Sequence, residues 1–85
     1  MVVGKVGSID IKKRWMLVAG SFDMPERASA LVQRIRAVSL DSRAWKVADR
    51  YQVEVGPFAD AEQAEFAYNL LRRRTGILAL KIPPR

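Results

Sequence analysis

At 85 residues, 49% of them hydrophobic, the chain has material for one domain with a small core and none for a deep catalytic cleft beside a cofactor domain. Fifteen basic residues against nine acidic ones leave a formal charge of +6, which favours anionic partners: nucleic acid, acidic lipid surfaces or acidic polysaccharide. With no Cys and no His, thiol chemistry, ordinary zinc sites and histidine acid–base catalysis are excluded.

Residues 1–14, "MVVGKVGSIDIKKR", carry two Gly and end basic, and read as a lead-in or linker. They lack a signal-peptide shape, and no apolar stretch approaches the roughly 20 residues that cross a bilayer. Export would therefore rest on a segment outside this chain, and no membrane insertion is expected. "WMLVA", Trp15 to Ala19, is a continuous apolar run ended by Gly20, the pattern of a buried central strand. Asp23, with Pro25 in the first turn and Glu26 three residues on, predicts a capped helix start. Ala28, Leu31, Val32, Ile35 and Val38 then share one helical face, with Arg27, Gln33, Arg34 and Arg36 away from it.

Arg43 to Val47 reads as a second strand and "ADR" as a tight turn. "YQVEV", Tyr51 to Val55, alternates with Tyr51, Val53 and Val55 on one face and Gln52 and Glu54 on the other, so one face is buried and one is wet. Gly56-Pro57 is expected to stop this strand. Asp60, with Gln63 at the box position, predicts a second helix start. Ala64, Ala67, Tyr68 and Leu71 share its buried face, widened by Phe66 and Leu70. Gly76 ends the helix. "ILALKI", Ile77 to Ile82, is a last short strand, and residues 83–85 form a tail.

The order strand, helix, strand, strand, helix, strand is written in two halves. Gly20 and Gly56, Phe22 and Phe58, Glu26 and Glu62, Ala28 and Ala64, and Ile35 and Leu71 each stand thirty-six residues apart. Two such halves joined by a hairpin predict an α+β fold, the βαββαβ ferredoxin-like sandwich. Its four-stranded antiparallel sheet has both helices on one face and leaves the other open. Gln52 and Glu54 require that open face, because burial without partners is costly. Gly is expected to permit a sharp strand-to-helix turn, and Phe to fold over the end of the core.

"RWMLVAGSF" with the helical Ala28, and "YQVEVGPF" with the helical Ala64, resemble the SPOR family of sporulation-related repeat domains. The resemblance covers roughly Arg14 to Ile82. It implies the fold derived above and a non-catalytic module that binds peptidoglycan, preferring glycan strands stripped of stem peptides. It further implies targeting to the division septum, and a periplasmic or wall-facing location as part of a larger exported or membrane-anchored bacterial protein. Neither cofactor nor metal is implied, and the domain is expected to be monomeric.

The family places the glycan on the open sheet face. By parity, Trp15, Leu17, Ala19, Tyr51, Val53, Val55, Leu78, Leu80 and Ile82 are expected to face the core. Met16, Val18, Gln52, Glu54, Ala79 and Lys81 are expected on the open face. The family register puts Arg43 and Trp45 outward, the placement adopted here; the residues alone also allow Trp45 and Val47 inward. Sugar rings offer apolar C–H faces to an aromatic plane and hydroxyls to amide, hydroxyl or guanidinium groups, and a muramic carboxylate offers itself to Arg or Lys. The candidate glycan contacts are accordingly Met16, Val18, Ser21, Arg43, Trp45, Arg50, Gln52 and Lys81. Three positions depart from the family pattern. Val18 stands where Gln is common, Gln52 stands where Arg is frequent, and Glu54 adds a negative charge.

Two other binding classes fit the layout. Met16 and Val18 form a small apolar patch suited to a protein partner of the cell envelope. RNA-recognition modules share the βαββαβ order but stack bases on aromatics of the middle strands. Here those outward positions are Met16, Val18, Gln52 and Glu54, so nucleic acid is not expected. For catalysis the chain lacks a nucleophile–base set, and no carboxylate pair is placed for glycoside hydrolysis.

Overall fold

A computed structural model of the chain describes residues 14–84. The expected lead-in, apart from Arg14, and the last residue of the tail lie outside that range. The chain runs β1 (Trp15–Phe22), α1 (Pro25–Arg36), β2 (Ser42–Val47), β3 (Arg50–Phe58), α2 (Ala61–Thr75) and β4 (Leu80–Ile82). One antiparallel sheet has the order β2-β3-β1-β4. Leu17, Val53 and Val55 of the sheet meet Ala28, Leu31, Val32 and Ile35 of α1 and Ala67 and Leu71 of α2 in one cluster, so both helices cover the same face. The expected βαββαβ sandwich is the one observed.

The two helices begin differently. In α2, the Asp60 carboxylate accepts from the Gln63 backbone N–H at 2.9 Å, while the Gln63 side chain accepts from the Ala59 N–H at 3.2 Å. Gly76 closes α2 in the left-handed region at φ 78°, where its N–H reaches Arg72 O. The expected cap at Asp23 is corrected: α1 starts from Met24, which has no side-chain cap. Pro25 decides this. Proline occupies the first helical position and forces the residue before it into extended backbone, here φ −124° and ψ 133° at Met24. Asp23 is thereby displaced one residue too far out. Val38 lies beyond the end of α1 and is half-buried.

Neither glycine sits in a turn. β1 continues through Gly20 to Phe22, and β3 runs through Gly56-Pro57 to Phe58, so the expected strand stops are corrected. A Cβ at Gly20 would stand 3.2 Å from the Phe22 ring and 3.3 Å from Leu31 Cδ2. A Cβ at Gly56 would stand 3.2 Å from the Phe58 ring and from Met16 Sδ. In both halves the phenylalanine ring lies against the glycine two residues before it. The repeated Gly-x-Phe is a packing device within the strand.

Register sets which side chains reach the open face. Val18 pairs with Glu54, and Gly20 pairs with Val53, leaving Ala19 as an extra residue in a bulge. The bulge reverses the alternation after it. Phe22 stays on the core side opposite Tyr51, and Ser21 comes to the open face opposite Gln52. At the far end Trp15 pairs with Phe58 and is half-buried.

The parity expected for the last strand is corrected. Met16 pairs with Ile82, Leu17 with Lys81, and Val18 with Leu80. Directly opposed residues share a face, so Leu80 and Ile82 lie on the open side and Lys81 on the helix side. Ala79 is buried, while Leu78 and Leu80 are 71% and 63% exposed. β4 is an edge strand of three residues that follows β1, and the space beneath it is filled by Ala79 and the half-buried Ile77.

Candidate functional site

The open face is built in rows across the strands. One row is Trp45, Gln52 and Ser21, on β2, β3 and β1. The next is Arg43, Glu54, Val18 and Leu80, and Met16 lies beside Ile82 at the end. Trp45 therefore points outward, with 48% of its surface exposed. The Arg43 guanidinium lies 5.7 Å from the Trp45 ring centroid, a cation–π distance that turns the arginine along the face.

Arg50, at the start of β3, is tied down from one side. Its Nε donates to Ser21 Oγ at 2.9 Å, and its Nη2 donates to Ser21 O at 3.0 Å. Two hydrogen bonds to one residue fix the guanidinium plane beside the Trp45–Gln52–Ser21 row and leave its other N–H groups for a ligand. Pre-ordering a long side chain in this way removes part of the entropy cost of binding. Gln52 Nε2 donates to Glu54 Oε2 at 2.8 Å, so the amide and the carboxylate are held together along β3.

Of the eight candidate contacts, seven share the open face: Met16, Val18, Ser21, Arg43, Trp45, Arg50 and Gln52. Lys81 does not. Its ammonium pairs with Glu65 of α2 and lies 4.8 Å from the Tyr68 ring centroid, on the helix side. The hydrogen bond from Lys81, joined by its charge, lowers the Glu65 carboxyl below the ordinary glutamate range. The placement of Lys81 on the open face is thus corrected. Leu80 and Ile82 take that side of β4 and enlarge the Met16–Val18 patch into an apolar half-face. The alternation of "LALKI" points Leu80 and Ile82 to the core, and the register against β1 overrides it. Pro57 is equally hidden, because Gly-Pro in a sequence signals a strand stop. It lines a hollow of about 350 Å³ with Met16, Arg43, Trp45 and Glu54.

The model of a family described as "SPOR domain" matches residues 12–79. The chain belongs to the SPOR domain family. No curated protein sequence matches it. Among solved structures it is similar to the peptidoglycan binding domain of the B. subtilis cell wall lytic enzyme CwlC, with TM-score 0.72 and 23% identity over 81% of this chain and 87% of that one. The RlpA SPOR domain from Pseudomonas aeruginosa gives TM-score 0.67 at 17% identity, covering 82% and 99% of the two chains. The Spor protein DedD gives 0.62 at 14%, over 86% of this chain and 41% of that one. At these identities the likeness establishes the fold.

Proposed function

We propose that this SPOR domain is a non-catalytic module that binds peptidoglycan through the open face of its sheet, prefers glycan strands stripped of stem peptides, and brings the protein that carries it to the division septum on the outer side of the cytoplasmic membrane. The observation that carries the reading is the row Trp45, Gln52 and Ser21 with Arg50 fixed at its side. An exposed indole offers a plane to the C–H face of a sugar ring. The amide and hydroxyl beside it match ring hydroxyls, and the two arginines match the lactyl carboxylate that a muramic residue exposes once its peptide is gone. The similarity of fold to the CwlC domain, which is a peptidoglycan binding domain, points the same way.

The test is retention by purified sacculi. Amidase-treated sacculi retain the domain more strongly than untreated, peptide-rich ones, and Trp45→Ala weakens retention about tenfold, the cost of losing an aromatic anchor at the centre of a contact. Lys81→Ala, on the other side of the sheet, leaves retention unchanged. Equal retention by both kinds of sacculi removes the preference for bare strands, and no retention overturns the reading.

A second reading is favoured by the corrected register of β4. Met16, Val18, Leu80 and Ile82 lie together on the β1–β4 half of the open face, and apolar surface of this kind suits a protein partner in the envelope. The double substitution Leu80→Ser and Ile82→Ser separates the two. It abolishes a protein contact and spares sacculus retention if glycan is held on the β2–β3 half alone.

A further inference from the structure

A carboxylate in the middle of a face that meets an anionic polymer is out of place unless it has a partner. Glu54 is half-buried, and it lines the hollow formed by Met16, Arg43, Trp45 and Pro57. At about 350 Å³ the hollow falls at the small end of ligand sites, which run from about 300 to 1,000 Å³. One carboxylate oxygen, Oε2, is held by the Gln52 amide at 2.8 Å. The other accepts no hydrogen bond from the described residues. Arg43 stands directly opposite Glu54 in the strand register, yet its guanidinium is turned over the Trp45 ring. Among the described residues the ion pair formed is Lys81 with Glu65, on the other side of the sheet.

We infer that this hollow is a subsite for an amino-sugar unit with a free 2-amino group, its ammonium bound by the Glu54 carboxylate while the ring packs on Trp45 and Met16. The inference rests on the glycan reading above and names the sugar chemistry that the face selects. A neutral N-acetyl sugar offers a half-buried carboxylate only uncharged hydroxyl and amide donors, which replace its water without neutralising its charge. An ammonium returns a charge-assisted hydrogen bond and also suits the face of the indole. In a muramic unit the amino-bearing carbon is next to the carbon that carries the lactyl ether. Ammonium and carboxylate therefore lie close together, as Glu54 and Arg43 do across β2 and β3.

Net charge works against this preference, which makes it a sharp one to measure. Removing acetyl groups makes the glycan more positive, and a chain of charge +6 should bind it less well through its overall field. Tighter binding must then come from a local contact, and its loss in Glu54→Gln assigns that contact to the carboxylate. The experiment compares amidase-treated glycan strands, N-acetylated and enzymatically de-N-acetylated, against the 85-residue chain and its Glu54→Gln variant at fixed salt. The expected result for the unaltered chain is about tenfold tighter binding to the de-N-acetylated strands, the size of one charged hydrogen bond. In Glu54→Gln the ratio of the two affinities falls to about one. The isosteric amide keeps an acceptor for Gln52, and the ratio does not depend on how strongly the variant binds overall. Equal affinities in the unaltered chain, tighter binding of the acetylated strands, or a preference that survives Glu54→Gln each overturns the subsite. Binding of neither strand overturns the glycan reading itself, a distinct outcome.

Discussion

Gly20 and Gly56 hold equivalent places in the two halves, and their chemistry separates at the level of single dihedral angles. Gly56 sits at φ +129°, a region that L residues rarely adopt, and a Cβ there also meets the Phe58 ring and Met16. Gly20 carries no such angle; its constraint is contact with Phe22 and Leu31 Cδ2. Gly56→Ala is therefore expected to cost about 2 kcal/mol or more. Gly20→Ala is expected to cost about 1 kcal/mol, because flexible side-chain ends can give way by tenths of an ångström. Urea midpoints at constant slope order the two, and equal losses would contradict the distinction. Lys81 shows the same dependence on placement. Its hydrogen bond and charge lower the Glu65 carboxyl, so Lys81→Met should bring that titration back up, as read by NMR of the side-chain carboxyl. The sign follows from the direction of the shift. A carboxyl lowered in the folded state adds stability above its unfolded pKa of about 4.3, and that stability is lost as pH falls through the folded value. Both groups are exposed, so salt screens the effect.

At the scale of elements, two similar-looking helix starts differ in what holds them. Asp60→Ala removes a cap that accepts from Gln63 N and should cost about 1 kcal/mol. Asp23→Ala removes no cap and should fall within about 0.5 kcal/mol of the unaltered chain. Thermal or urea unfolding of the two variants measures the difference, and comparable losses would mean that Asp23 contributes after all. The same contrast shows what was legible in the letters. The period-two pattern of "YQVEV" placed Gln52 and Glu54 on the open face, because one parity alone was apolar. The helix faces were legible for the same reason: Ala28, Leu31, Val32 and Ile35, then Ala64, Ala67 and Leu71, are all buried, while Phe66, expected to widen the buried face of α2, is 65% exposed and is corrected. In "ILALKI" the alternation points the wrong way: the more apolar parity, Leu78, Leu80 and Ile82, is the exposed one, on a three-residue edge strand. The register against β1 then decides, and Lys81 and Leu80 exchange sides. A bulge also leaves little trace in composition. Ala19 is an ordinary strand residue, yet it sends Ser21 to the open face within reach of Arg50. Within the candidate site, the amide of Gln52 was therefore readable, the outward Trp45 followed from the family register and not from the letters, and the Ser21–Arg50 link and the Leu80–Ile82 surface depended on the register within the sheet.

Taken as a whole, the molecule divides its chemistry between the two sides of one sheet. The helix side holds the core and the Lys81–Glu65 pair. The open side holds an aromatic, polar and cationic half on β2, β3 and the Ser21 end of β1, and an apolar half on β4 and the Met16–Val18 part of β1. The central claim is that glycan is bound on the first of these halves. Its most direct test is to map backbone and side-chain NMR shifts while adding a soluble glycan fragment freed of stem peptides. The account predicts that the largest changes fall on Ser21, Arg43, the Trp45 indole, Arg50 and the Gln52 amide, with α1 and α2 undisturbed. Changes confined to the helices, or centred on Lys81 and Tyr68, would contradict it.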